Sequence, residues 1–459
     1  MNVLAIDLGT SQAKAMLCAP DGTMLGRGSA GYDISTPRDG WAEADPAHWW
    51  QAVRTAVLAA APAEVSAIAV TGQMHGVVLL SEQSVVLRPA ITWLDRRATA
   101  EAAEYLRLDP SLLAALGNAP APGMAGPLLA WLARHEPAAY QAARWQFQPK
   151  DWLRFRLTAE PATDPTDASG TLLYDVGRDG WALDVVSGLG LSAGLLPPVR
   201  PSASQCGTLL PETAADLGLL PGIPVATGAS DTAASLLAAR LPGPEWALLV
   251  LGTGGQWIMP CSAGGSAGGS AGGGGSGGGS GGAGAGGGAG AGADPSGRTS
   301  LSRSADGGLF RFGGAQNVGV TLNWVRGVLG ASWDDLYGSA AVASSSRPPV
   351  FDPELVTERP AAGVPAGGGW SGVTLAHTRD DLMRAALTGV AGLLRRWLDD
   401  LRAVGCGPEK VMLGGGGSRH PAWRDLLKAE LGLPLYPADT PWLTARGAAM
   451  LAAGIAGND

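Results

Sequence analysis

The chain opens on an uninterrupted apolar run, Val3-Leu4-Ala5-Ile6, which reads as a strand buried on both faces. Asp7-Leu8-Gly9-Thr10-Ser11 follows as a tight turn, and a second strand runs from Ala13 to Cys18. The same succession returns near the middle of the chain. There Trp246-Ala247-Leu248-Leu249-Val250 leads into Leu251-Gly252-Thr253-Gly254-Gly255 and a strand from Gln256 to Met259. Elsewhere the spacing becomes helical: Trp49, Val53 and Val57 share a face after Asp45-Pro46. A capping box, Thr378-Arg379-Asp380-Asp381, precedes a long helix whose predicted stripe is Leu382, Ala386, Gly389, Leu393, Trp397 and Leu401, with Gly405 as its stop. A hairpin turn at Asp21-Gly22, buried strands at Val65 to Val70 and Pro224 to Gly228, and a helix entered at Ser230-Asp231 complete an alternation that predicts an α/β fold. Near the end, the strand Lys410 to Leu413 runs into Gly414-Gly415-Gly416-Gly417-Ser418 and a helix from about Pro421.

Composition narrows the picture. A length of 459 residues at 46% hydrophobic content supports two large cores, expected as domains at 1–241 and 242–459. A net charge of −8 without any basic stripe argues against nucleic acid as a partner. No apolar run reaches the length of a membrane span and no charged leader opens the chain, so a cytoplasmic protein is expected. Cys18, Cys206, Cys261 and Cys406 are scattered without metal or disulfide spacing and read as buried or idle thiols. From Ser262 to Ala293 every residue is Gly, Ala or Ser, which predicts a disordered surface insertion within the second domain.

Candidate chemistry gathers at the turns. A Gly-Thr turn aims consecutive N–H groups and a hydroxyl at one spot, which suits phosphate oxygens, so the two copies are candidates for holding a nucleotide's phosphates. The bland alternative is a pair of ordinary hairpins. The glycines at 414–417 leave no Cβ in the way of a base or ribose, or else permit close helix packing. Their spacing does not match a dinucleotide fingerprint. Asp231 is either an acid placed for catalysis or a helix-start carboxylate favoured by the dipole.

The strings DLGTSQAK from Asp7, GWAEADP from Gly40, TGQMHG from Thr71, PKDWLRFRLT from Pro149, GASDTAAS from Gly228, LGTGG from Leu251 and LGGGGSRHPAW from Leu413 stand in an order that closely resembles the FGGY carbohydrate kinases. The resemblance implies two actin-like ATPase domains, of ribonuclease H-like topology, flanking a deep cleft. It further implies ATP and Mg²⁺ as cofactors and an open-chain ketose as acceptor, with D-xylulose giving D-xylulose 5-phosphate as the expected reaction. By the same resemblance Asp231 is the catalytic base, and Asp7 the acid that holds the metal, through water. Gln73, Met74 and His75 belong to the sugar loop, His75 as a donor to a ketose oxygen. Trp41 and Glu43 either contact the sugar or order their loop. Thr10, Ser11, Lys14, Gly252 and Thr253 would hold phosphates, and Gly415, Gly416 and Ser418 would line the adenosine site. The implied partners are a small sugar and ATP, with no membrane and with a homodimer left open. Three features depart from the family pattern: Gly254 where Ser is usual, a reduced Thr357-Glu358-Arg359-Pro360 segment, and an ending soon after Gly454. A kinase for another ketose or polyol, ribulose or a signalling sugar among them, and a non-catalytic nucleotide switch remain the alternatives at this point.

Overall fold

The computed structural model describes residues 1–60, 64–261, 294, 297–342, 347–355, 367–438 and 442–456. The Gly/Ala/Ser segment 262–293 and Thr357-Glu358-Arg359-Pro360 lie outside the described residues. Contacts divide the chain into two units. The first comprises Met1–Pro242, Ser302–Gly307 and Pro437–Asp459, and the second Gly243–Leu301 and Gly308–Tyr436.

In the first unit, β1 (Val3–Leu8) and β2 (Gln12–Cys18) form the expected hairpin, closed by Gly9 N–H donating to Gln12 O at 3.1 Å. Helix α1 (Pro46–Ala59) starts where Asp45 accepts from Ala47 N, and it buries Trp49, Val53 and Val57 as its spacing predicts. On the other side of β1, β3 (Ala67–Gly72) runs parallel, with Val3 opposite Ala67 and Asp7 opposite Thr71. Val65 therefore precedes the strand rather than opening it, although Ser66 N already donates to Asn2 O at 2.8 Å. The expected strand at Pro224 to Gly228 is broken into β4 (Pro224–Ala226) and β5 (Ala229–Ser230). Gly228 makes the break: its φ is +85°, and a Cβ there would lie 2.1 Å from Val70 O. Both pieces pair with β3, Ala229 standing opposite Thr71. Helix α2 (Asp231–Ala239) follows at once.

The second unit repeats the scheme. β6 (Trp246–Leu251) and β7 (Gly255–Cys261) are an antiparallel hairpin, and β8 (Leu309–Ala315) extends it beyond β7. Helix α3 (Gly319–Val328) comes next. The long helix α4 (Arg379–Ala403) has the expected capping box, with Thr378 and Asp381 exchanging hydrogen bonds, and Gly405 ends it at φ +81°. Its core face differs from the predicted stripe: Met383, Leu387, Val390 and Leu394 are buried with Ala386, Leu393, Trp397 and Leu401, while Leu382 is only half-buried. Gly389 faces the Phe351 strand, whose carbonyl would meet an added Cβ at 2.3 Å. β9 (Lys410–Gly414) runs parallel to β6, as β3 does to β1.

The last helix, α5 (Leu443–Ile455), belongs with the first unit, whereas the sequence places it in the second domain. Its small residues explain this. Ala445, Gly447 and Ala448 give it a flat face against α2, and Thr444 Oγ1 meets Ser235 Oγ at 3.0 Å. Among the described residues no helix is long and apolar enough to cross a membrane.

At Gly447 an added Cβ would lie 1.9 Å from Ala234 O, so Gly447→Ala must push α5 and α2 apart. It is expected to cost about 1–3 kcal/mol of stability, the usual scale for an overpacked core, and to lower the melting temperature. An unchanged midpoint in a thermal scan would show that the two helices do not need this contact.

Candidate active site

Sheet register brings the two carboxylates of the first unit together. Asp7, Thr71 and Ala229 stand side by side on β1, β3 and β5. Strands lie about 4.8 Å apart, so Asp231, just past β5, comes within electrostatic reach of Asp7. Asp7 is buried, and its cross-strand neighbour Lys14 places Nζ 3.4 Å from Oδ2. Burial raises the Asp7 carboxyl above its ordinary range, and Lys14 draws it partly back. Ser230 caps α2, its Oγ accepting from Ala233 N at 3.4 Å. The capping role thus falls to Ser230, and Asp231 is the first residue of the helix proper. Asp231 Oδ1 accepts from Thr232 N at 2.6 Å and from Thr232 Oγ1 at 3.1 Å. Burial first, and then the charge of Asp7, raise its carboxyl to about 7.

One segment, Asp164 to Gly170, braces both this acid and the sugar loop. At one end Ser230 N donates to Thr166 Oγ1 at 2.8 Å, and Thr166 Oγ1 donates to Asp164 Oδ2 at 2.7 Å. Asp164 is held in turn by Lys150, whose Nζ lies 2.9 Å from Asp164, 2.8 Å from Asp151 and 3.3 Å from Asp167. Arg154 adds a contact of 3.2 Å to Asp151, and all five side chains are buried. Asp167 has its carboxyl pushed well above the ordinary range, by burial foremost and by the neighbouring carboxylates. At the other end, Gly170 O lies 2.7 Å from His75 Nδ1. That carbonyl can only accept, so Nδ1 carries the proton of this hydrogen bond. His75 and Gly76 both have positive φ, +64° and +78°, and a Cβ on Gly170 would come within 2.9 Å of the imidazole.

The other residues of interest order the loops around this pair. Tyr32 donates to Gly9 O inside the first turn, and its oxygen accepts from Gln73 Nε2 at 3.4 Å, so Gln73 is buried and tied to the phosphate-type turn. Met74 is buried beside Gly170. Thr10 Oγ1 accepts from Trp93 Nε1 at 3.0 Å, and the exposed Ser11 uses its carbonyl to hold Tyr32 N at 3.1 Å. Glu43 is paired with Arg88 at 2.5 Å and Arg97 at 2.7 Å, while the Arg97 guanidinium lies 3.6 Å from the Trp41 ring centre. These contacts supply the loop-ordering role for Trp41 and Glu43. Trp93, Thr166 and Gly170 were not singled out from sequence, since nothing local marks contacts made so far along the chain.

In the second unit the turn Gly252-Thr253-Gly254 is closed by Gly252 N donating to Gly254 O at 2.8 Å. The start of α3 rests on it: Val320 N donates to Thr253 O at 2.8 Å, and a Cβ on Gly319 would lie 2.1 Å from Gly252 O. Gly252, Thr253, Gly416 and Gly417 line one cavity of about 700 Å³. Part of its wall is aromatic, with Tyr337 stacked between Trp333 at 5.4 Å and His420 at 5.7 Å, and Asn323, Asp334 and Arg419 add polar lining. A cavity of this size suits a nucleotide, and flat rings offer a base a stacking surface. Gly415 and Ser418 are not among the lining residues. Gly415 presses on Leu251, and Ser418 Oγ donates to Gly415 O at 2.7 Å, so both shape the loop from behind. Trp333, Tyr337 and His420 were missed from sequence, although Ser332 and Asp335 form a capping box that marks where the helix of Trp333 and Tyr337 starts.

A buried acid pair, a phosphate-type turn in each unit and a nucleotide-sized cavity describe a phosphoryl-transfer enzyme. Residues 2–238 match the N-terminal domain of the FGGY family of carbohydrate kinases, and residues 305–455 match its C-terminal domain. The chain belongs to this family and is an ATP-using sugar kinase. It is 32% identical over 431 residues to the xylulose kinase of Escherichia coli K12, covering 92% of this chain and 84% of that one. It is likewise 32% identical over 459 residues to the xylulose kinase of Klebsiella pneumoniae, covering 98% and 89%. The crystal structure of the xylulose kinase from Rhodospirillum rubrum matches with a TM-score of 0.84 at 30% identity, over 100% of this chain and 91% of that one. The fold is that of two actin-like ATPase domains. Membership in a family of kinases sets aside the non-catalytic switch.

Two predictions follow from the geometry. The folded chain keeps the Asp231 proton up to about pH 7, whereas the ordinary carboxyl loses it near 3.8. A raised folded pKa means that the unfolded state ionises first, so stability falls as pH rises through this window and stays lower above it. Asp231→Asn, which cannot ionise, should melt above the parent at about pH 8 and level with it below about pH 4, without ligands. Equal melting at the higher pH would remove the electrostatic strain. The second prediction separates neighbouring glycines. Gly415 has φ +84° and Leu251 O at 2.3 Å from any Cβ, while nothing lies within 4 Å of a Cβ on Gly416. Gly415→Ala should lower the melting temperature, and Gly416→Val should leave it unchanged but raise the KM for ATP by about tenfold or more. An unaltered KM would place the nucleotide away from this loop.

Proposed function

We propose that the enzyme transfers the γ-phosphoryl group of ATP to D-xylulose, giving D-xylulose 5-phosphate in the cytoplasm as a step of xylose catabolism. The observation that carries the reading is the Asp7–Asp231 pair, braced by the same Asp164–Gly170 segment that holds His75. With its carboxyl near 7, Asp231 is ionised in a good fraction of molecules at neutral pH and is basic enough to take a proton from an attacking hydroxyl. The hydroxyl oxygen forms the bond to phosphorus as the bond to the ADP oxygen breaks, and the proton passes to Asp231 Oδ2. Oδ1 is occupied by Thr232, which fixes the direction of the carboxylate. His75 hydrogen-bonds a sugar hydroxyl and Met74 supplies an apolar wall. The similarity to named xylulose kinases supports xylulose as the acceptor.

Asp7 suits Mg²⁺, because a buried carboxylate whose ionisation is opposed by burial and faced by a second acid gains from a divalent charge. Such an ion takes one or two carboxylates, waters and substrate phosphates. When bound it would neutralise charge on the phosphates. Thr10, Ser11 and Lys14 of the first unit, and separately Gly252 and Thr253 of the second, are groups suited to phosphate oxygens, and the aromatic side of the second unit's cavity suits adenine.

A coupled ADP-release assay over D-xylulose, D-ribulose, L-ribulose and glycerol tests the reading. The highest kcat/KM is expected with D-xylulose, and a tenfold preference for another acceptor would overturn the substrate assignment. In the same assay Asp231→Asn should lower kcat by about 10²-fold to 10⁴-fold, the scale of a lost general base. Retention of more than about half the parent kcat would mean that another group takes the proton.

A further inference from the structure

The Sγ atoms of Cys261 and Cys406 lie 3.6 Å apart although 145 residues separate them in sequence. Both are free thiols, and the proximity is built into the backbone. Cys261 is the last residue of β7 and is paired with Leu309 of β8. Cys406 follows the positive-φ Gly405 that ends α4, and its N–H donates to Leu401 O at 2.9 Å. The sequence reading of four idle thiols therefore misses a juxtaposition that only the fold creates. A disulfide needs an S–S distance of about 2.05 Å, a shift of about 1.6 Å that two side-chain rotations can share.

The two sulfurs are not equivalent. Cys406 is drawn down to about 7, by its hydrogen bond with Cys261 foremost and then by the Arg311 guanidinium on β8. Cys261 is pushed up by the same bond and by burial. One sulfur is thus available as a thiolate and the other stays protonated beside it. Cys261 is half-buried and Cys406 has only 9% of its surface exposed, so a small oxidant can reach the pair where a bulky one cannot.

We propose that Cys261 and Cys406 are a peroxide-oxidised disulfide site that ties the end of β7 to the loop between α4 and β9. The Cys406 thiolate attacks one oxygen of hydrogen peroxide; an S–O bond forms, the O–O bond breaks, and hydroxide leaves and is protonated to water. Cys261 sulfur then attacks the sulfenic sulfur; the S–S bond forms, the S–O bond breaks, and the oxygen leaves as a second water with the proton of Cys261. Two thiols and one peroxide give one disulfide and two waters, the two sulfurs supplying the two electrons. β7 and β9 flank β6, and the sulfurs lie at the end of this sheet away from the Gly252-Thr253 turn, so the bond staples the sheet without entering the nucleotide cavity. Closing so long a loop of chain should make the unit harder to melt.

The test is thiol counting and non-reducing peptide mapping of the full chain before and after hydrogen peroxide. Two of the four thiols should be lost and a Cys261–Cys406 cross-linked peptide should appear, together with a higher melting temperature that dithiothreitol reverses. Cys261→Ser should leave a sulfenic acid on Cys406 that dimedone traps, and Cys406→Ser should leave Cys261 as a thiol. Survival of all four thiols, or loss of two without that peptide, would overturn the proposal. The wild-type map alone decides it if a serine variant fails to fold.

Discussion

A single buried ammonium, that of Lys150, holds the frame on which the acid site rests. It contacts three carboxylates, of Asp151, Asp164 and Asp167, in a region with no exposed surface on any of them. Such a cluster adds little to stability, because desolvating the charges offsets most of their attraction. What it provides is a fixed geometry. Held by Lys150, Asp164 accepts from Thr166 and Ser202, and Thr166 then fixes the backbone from which Asp231 projects. The opposite end of the same short segment sets the tautomer and tilt of His75. Acid and sugar loop are thereby referred to one rigid origin, although they sit on different strands of the chain.

The two units share a hairpin with a parallel strand beside it and differ in what each adds to its turn. In the first, the turn is backed by charge: Asp7, Lys14 and the hydroxyl of Tyr32 surround it. In the second, the turn is backed by a helix start and bordered by aromatic rings. One scaffold thus carries a buried acid pair in one copy and a cavity bordered by aromatic rings in the other. The difference lies in side chains delivered from loops and not in the strands, which is where variable chemistry sits in folds of this kind.

Much of this was legible in the sequence, for reasons that vary by element. The hairpins were readable because an unbroken apolar run into glycine admits few other folds, and α4 because its capping box is a local signal. The helix's face was read less well, since the Phe351 carbonyl takes the space beside Gly389 and turns other residues inward. Asp231 was found by motif, yet its carboxyl is raised by burial and then by Asp7, two strands away, and no local pattern announces either. His75 was found, but the Gly170 carbonyl that meets its Nδ1 was not, because it sits 95 residues further along. The aromatic wall of the cavity was not legible at all, as Trp333 and His420 become neighbours only once both helices are packed.

The place of α5 bears on how the polypeptide comes off the ribosome. Residues 1–242 emerge first, and domains generally begin to fold as they are made. The helix that carries Asp231, however, rests its small-residue face on a partner encoded at Leu443–Ile455, after the entire second unit. Until that partner arrives the nascent first unit lacks one side of its core beside the acid. Asp231 reaches its final setting only after the second unit has been made, so a chain that stops before Leu443 would carry the second unit's turn and cavity before the acid pair is set.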